Sequence, residues 1–158
     1  MRIPRSAQRV CFRAFGLLVI LVAAPAARSA GDVTTGQQTP VPFASIAQGS
    51  SSGILAPEET AIDSAPDWLA FWARHAPGAS PPPVDFAADL VVAVVAGQRP
   101  TAGYEVDIVA IERGPAVTTV IYRVRRPPPD ALVAQVLTSP FHIVRLPRPG
   151  LPIRFERR

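Results

Sequence analysis

LVVAVVAGQRPTAGY, Leu90 to Tyr104, is the stretch whose reading decides the rest of the chain. Its first half, Leu90 to Ala96, is unbroken apolar sequence with four Val among seven residues. That is too short for a free-standing helix and suits a strand covered on both faces. Burying each Val or Leu side chain contributes roughly 1.5–3 kcal/mol, while fixing a residue's backbone costs about 1–2 kcal/mol, so the run offsets its own ordering. The second half has no such surplus. Gly97, Pro100 and Gly103 give GQRPTAGY two permissive positions and one fixed φ, the composition of a shaped turn at a strand end. An exposed loop held by a rigid strand is a natural place for function, which makes this loop the first candidate site.

Downstream the apolar period changes to two. Tyr104, Val106, Ile108 and Ala110 share one face of a strand, and Glu105, Asp107 and Val109 the other. Gly114 and Pro115 turn the chain into a second strand, Val117 to Arg125, and the two read as a hairpin. Pro127 to Pro129 is a stiff loop. Leu132 to Leu137 reads as a further strand, Phe141 to Leu146 as another, and Leu151 to Phe155 as the strand that closes the sheet.

Upstream, Val41 to Ile46 is extended, with Pro42 confining it to an edge or a strand start. QGSSSGI has glycines and serines but no Lys-Ser/Thr after a second Gly, and reads as a plain loop rather than a phosphate cradle. Ile54 to Ile62 is a strand broken by Pro57. The clear helix follows: Ser64 and Asp67 have capping-box spacing, Pro66 suits a first turn, and Trp68, Leu69, Phe71 and Trp72 form an apolar face. It ends near His75, before Pro77 and Gly78, and His75 in the last turn is placed to meet the helix dipole. One helix among short strands implies an α+β fold, a mostly antiparallel β-sheet with one principal helix packed on it.

Residues 1–29 read as a signal peptide. Arg2, Arg5, Arg9 and Arg13 precede an uncharged run from Ala14 to Ala27, and small residues at Ala27, Ser29 and Ala30 offer a cleavage point. Pro25 and Arg28 close that run short of the roughly 20 residues a membrane span needs. Residues 30–40 then form a flexible lead-in, and residues 41–158 a single domain. The expected product is exported, to the periplasm or beyond the cell, and touches a membrane only through an uncleaved signal segment. The whole chain is formally +4, but five of its sixteen Arg lie in residues 1–29, which hold no acid. The remainder is close to neutral, so the basicity is a targeting feature and not a nucleic-acid footprint. Cys11 is the one cysteine, so the domain has no thiol for a disulfide, a nucleophile or a zinc site.

Little in the domain points to catalysis. Ser139, His142 and several acids are present, but no Gly-x-Ser-x-Gly elbow. His142 alternates to the face opposite Phe141, His75 and His142 are far apart without an acidic cluster, and Glu105 and Asp107 read as the solvated side of a strand. The residues therefore imply no catalytic group, no metal and no cofactor, and a binding or structural role.

VVAVVAGQRPTAGYEVDI, followed by LTSPFHIVRLPR and a closing IRFE, resembles the PrcB-like C-terminal domain family, and the upstream VPF, SSSG and DWLAFWARH are similar to the same family's N-terminal part. Its pattern, an apolar strand ending in Gly-x-x-x-Thr-x-Gly-Tyr and a later Ser-Pro-aromatic segment, falls on Gly97, Thr101, Gly103, Tyr104, Ser139, Pro140 and Phe141. The resemblance implies an accessory subunit that binds and stabilises a protease or protease complex, with a protein as partner and no catalytic residues. Combined with the loop, it makes Gln98, Arg99, Pro100, Thr101, Gly103, Tyr104, Pro140, Phe141 and His142 the candidate partner-binding residues. RPTAGY is also similar to the Asn-Pro-Thr-Thr-Gly-Tyr loop of chagasin-like cysteine-protease inhibitors, with Arg99 for Asn and Ala102 for the second Thr, which implies direct inhibition as an alternative. An envelope binding module for another ligand is a further one.

Overall fold

Strand β4, Asp89–Val95, is covered on both faces, which is why its sequence carries no polar alternation. Leu90, Val92, Val94 and Ala96 belong to one apolar cluster, whereas Val91, Ala93 and Val95 belong to another. The computed structural model that shows this describes residues 38–158; the expected signal peptide and most of the lead-in lie outside the described residues.

The remaining elements are β1 (Thr39–Pro40), β2 (Ala44–Gly49), β3 (Glu58–Ile62), α1 (Ala65–His75), β5 (Glu105–Arg113), β6 (Thr118–Arg125), β7 (Phe141–Pro147) and β8 (Ile153–Arg157). Among the described residues they form two four-stranded sheets, β2-β7-β4-β3 and β1-β5-β6-β8, where the sequence suggested one. Every pairing is antiparallel except that of β6 with β8. The first cluster fills the space between the sheets, joining Val92, Val94 and Val144 to Val106, Ile108, Ile111 and Val120. The second joins Trp68, Phe71 and Trp72 of α1 to Val91, Ala93, Val95, Phe141 and Ile143.

The helix starts where its capping residues stand. The Asp67 amide donates to Ser64 Oγ at 3.3 Å, the Ser64 hydroxyl donates to the Asp67 carboxylate at 2.6 Å, and Pro66 lies in the first turn. At its other end the serine-glycine loop is packed rather than free, for the Gly53 amide donates to the His75 carbonyl at 2.8 Å. His75 is buried rather than poised on the helix dipole. Its Nδ1 lies 2.9 Å from the Ser52 hydroxyl and its ring meets Phe141 edge-on at 4.3 Å, and burial holds its pKa below the usual imidazole value. A neutral ring offers the dipole no cation.

Three further expectations are corrected. Thr39–Pro40, assigned to the lead-in, forms a short strand paired with Glu112 and Arg113. In β5 the register shifts between Ile108 and Ala110, so Ile111 and not Ala110 joins Val106 and Ile108 in the core. One extra residue in a strand reverses the alternation beyond it. Leu132 to Leu137 forms no strand. The ladder contact nearest to it is an isolated bridge between Arg99 and Thr138, although β4 and β7 are each flanked on both sides. High strand propensity alone does not place a segment in a sheet.

Candidate functional site

Two loops meet beyond the end of β4. The first is the 97–104 segment. Gly97 has φ +75°, and a Cβ there would stand 2.7 Å from the Pro57 nitrogen; Gly103 has φ +86°, and its Cβ would stand 2.9 Å from Pro127 Cβ and 3.1 Å from a Val133 methyl. Only glycine satisfies both the left-handed backbone and the close approach. The second loop, residues 126–138, runs alongside. The Arg99 and Thr138 main chains exchange hydrogen bonds of 2.7 and 3.0 Å, the Ala102 amide donates to the Ala134 carbonyl at 3.0 Å, and Thr138 Oγ1 donates to the Thr101 carbonyl at 2.9 Å.

The predicted residues fare differently. Gln98 and Pro100 are exposed at the tip, Thr101 and Tyr104 are half-buried, and the Gln98 amide donates to the Leu55 carbonyl at 2.8 Å. Arg99 turns inward: its guanidinium donates to the Ala96 carbonyl at 2.7 Å, its Nε is buried without a partner, and its Cζ lies 5.8 Å from the Tyr104 ring centroid. It braces the loop that it was expected to project from. Pro140 is buried and its carbonyl accepts the Ala96 amide at 2.8 Å. Phe141 and His142 are buried too, on opposite faces of β7, and present nothing to solvent. The Ser-Pro-aromatic segment therefore anchors the loops and is buried.

The sequence reading missed what is most exposed here. Leu132 is fully exposed, Leu137 is 70% exposed, and Val136 and Leu55 are more than half exposed. The signal was present as a charge-free ALVAQVL between PPPD and TSP, but it was read as a buried strand. Scattered exposed leucines need no explanation; several on loops bonded to one another do.

Beside the loop pair lies a cleft of about 600 Å3 lined by Gln48, Ser50, Gly103, Tyr104, Asp107 and Arg125. Its floor is the edge of β5. Side chains of the other sheet close that edge, for Gln48 Nε2 donates to the Val106 carbonyl at 2.7 Å and the Ile108 amide donates to His142 Nδ1 at 2.9 Å. His142 Nε2 lies 3.1 Å from Ser45 Oγ, and Asp107 Oδ1 is 3.8 Å from Nδ1. Ser45, His142 and Asp107 thus follow the order of a hydrolytic triad, but the tautomer is opposite. Because Nδ1 accepts from a main-chain amide, Nε2 carries the proton and donates to Ser45, so His142 in this arrangement cannot take the serine's proton. Burial lowers the His142 pKa, partly opposed by the Asp107 charge, which keeps the ring neutral in this role. On the far side of the sandwich, Tyr122 donates to the Glu59 carboxylate; burial first, then that contact, pushes its pKa up to about 12. No cluster of His, Cys, Asp or Glu among the described residues has the arrangement of a metal site.

None of the curated proteins and none of the solved structures matches this chain. A family model does: the one described as PrcB C-terminal matches residues 90–147, from the first buried residue of β4 to the end of β7, and so spans both loops of the site. The upstream segments that resemble the family, including α1, lie outside the matched residues. Residues 90–147 are thus similar to the PrcB C-terminal family.

Proposed function

We propose that this is an exported, non-enzymatic accessory domain that binds and stabilises a protease or protease complex through the paired loops 97–104 and 126–138. The observation that carries the reading is the apolar surface of Leu55, Leu132, Val136 and Leu137, held on loops braced by Arg99, Gly103 and Thr138. A domain with a well-filled core gains nothing from exposing these side chains unless another surface covers them. The family match supplies the class of partner, since it points to a protease-associated domain. Export is supported by the Arg-rich start and the uncharged run that follows it.

Direct inhibition through RPTAGY is the weaker reading. An inhibitory loop must project its side chains into a cleft, whereas the Arg99 guanidinium is committed to the Ala96 carbonyl and the Gly103 main chain packs closely on Pro127 and Val133. The test is genetic and biochemical together. In the source cell, replacing the wild-type chain by Leu132→Asp/Val136→Asp should lower the abundance of an envelope protease while the variant itself accumulates normally. Unchanged abundance of every envelope protease, with wild type or without the chain, refutes the stabilising role.

A further inference from the structure

Residues 131–137, ALVAQVL, have the composition of a strand but no strand beside them on their outer side. Their inner side is occupied, through Ala134 and Thr138, by the 97–104 loop. Among the described residues, the amides of Val133, Gln135 and Leu137, which alternate to the side opposite Ala134 and Thr138, make no main-chain hydrogen bond. The segment is fixed at both ends, by the Ala131 amide donating to the Pro128 carbonyl at 3.0 Å and by the two-way bridge at Thr138. Pro127, Pro128 and Pro129 stiffen the approach. An extended, apolar, pre-positioned segment with unused donors is the arrangement that accepts an added strand.

Resting on the reading above, we infer that the partner contributes an extended apolar segment that pairs with residues 131–137 as an additional β-strand. One feature defines that segment. Residues 131–138 carry no formal charge, so the pairing stretch is itself uncharged and apolar. Arg126 and Asp130, both exposed and without an ion pair among the described residues, stand before it with one charge of each sign, so the uncharged stretch alone defines the added strand. A second copy of this chain fits less well. Seven residues pairing with their own copy fall short of the roughly 800 Å2 per side that a stable interface buries. A different protein can continue from the strip into the 600 Å3 cleft, which adjoins it through Gly103.

Strand addition has a signature that mere apolar contact lacks, because it depends on main-chain amides. The probe is a panel of acetylated heptapeptides alternating Val or Leu with Thr, each with a control N-methylated at alternate amides. With the purified full chain, hydrogen exchange of the amides at 133, 135 and 137 should slow on adding peptide and not on adding the control. Gln135→Pro removes one donor at an exposed position and should weaken peptide binding about tenfold without changing the melting temperature. Binding that ignores N-methylation and Gln135→Pro but is lost in Leu132→Ser or Val136→Asp overturns strand addition while leaving the apolar partner surface in place. Failure of the whole panel to slow exchange, or a concentration-dependent dimer that protects the same amides without peptide, also overturns it. Envelope protease levels indifferent to Leu132 and Val136 would instead refute the accessory role.

Discussion

Gly103→Val tests whether the two loops are one rigid unit. At φ +86° a β-branched residue is strained by about 1–3 kcal/mol. Its Cβ would also stand 2.9 Å from Pro127 Cβ and 3.1 Å from Val133 Cγ1. Carbon atoms rest near 3.5–4.0 Å, so the loops must part by roughly 0.5–1 Å, and such overpacking costs about 1–3 kcal/mol. The proline neighbour cannot swing aside as a flexible side chain would. The expected loss is therefore about 2–6 kcal/mol, which for a domain of this size lowers the melting temperature by roughly 6–24 °C. Urea denaturation measures it directly, with the slope unchanged if the folded and unfolded states keep their exposed areas. Gly103→Ala carries the same Cβ contacts with less backbone strain and should fall between the two. If Gly103→Val melts like wild type, the 126–138 loop yields freely, and a pre-positioned recognition surface is wrong.

Trp72→Ala should cost about 3–5 kcal/mol by denaturant melt, since the ring is buried in the helix-facing cluster; no loss would mean that cluster does not hold the fold. Arg99→Ala should lower stability by about 1–3 kcal/mol through the lost charged hydrogen bond to Ala96, and an unchanged melt would show the brace to be dispensable. His75 and His142 both have folded pKa values below 6.5, so their unfolded forms take up protons first. Stability should be full above the unfolded value, near 6.5, and decline as pH falls below it, the slope shrinking in His142→Gln; flat stability from neutral to mildly acid pH would count against both assignments.

The buried strand, the hairpin and the helix were legible because each depends on local pattern: unbroken apolar residues from Leu90, alternation from Val106, and Ser64 ahead of an aromatic face. The φ of Gly103 was legible too, from glycine before Tyr104. What was not legible depends on pairing across the sequence. The role of Arg99 rests on the carbonyl of Ala96 being left free at a strand end, which no composition reveals. His142 accepts a main-chain hydrogen bond from Ile108, thirty-four residues away, because β5 lacks a neighbour there. Residues 132–137 misled for the same reason. Strand propensity says that a segment suits a sheet and says nothing of whether an edge is vacant.

The position of β7 between β2 and β4 also governs how the domain can form. β2 pairs only with β7, Ala44 opposite Arg145, so about one hundred residues must be made before the earlier strand has a neighbour. During synthesis β2 and one edge of β4 stand unpaired, and the aromatic face of α1 has only part of its floor, since Phe141 and Ile143 arrive late. Such non-local closure makes folding slow and concerted rather than progressive along the chain. A ribosome releasing this sequence hands over an unfinished sheet with open edges, and the same chain that holds still once complete is, until β7 docks, a substrate for chaperones and a hazard for aggregation.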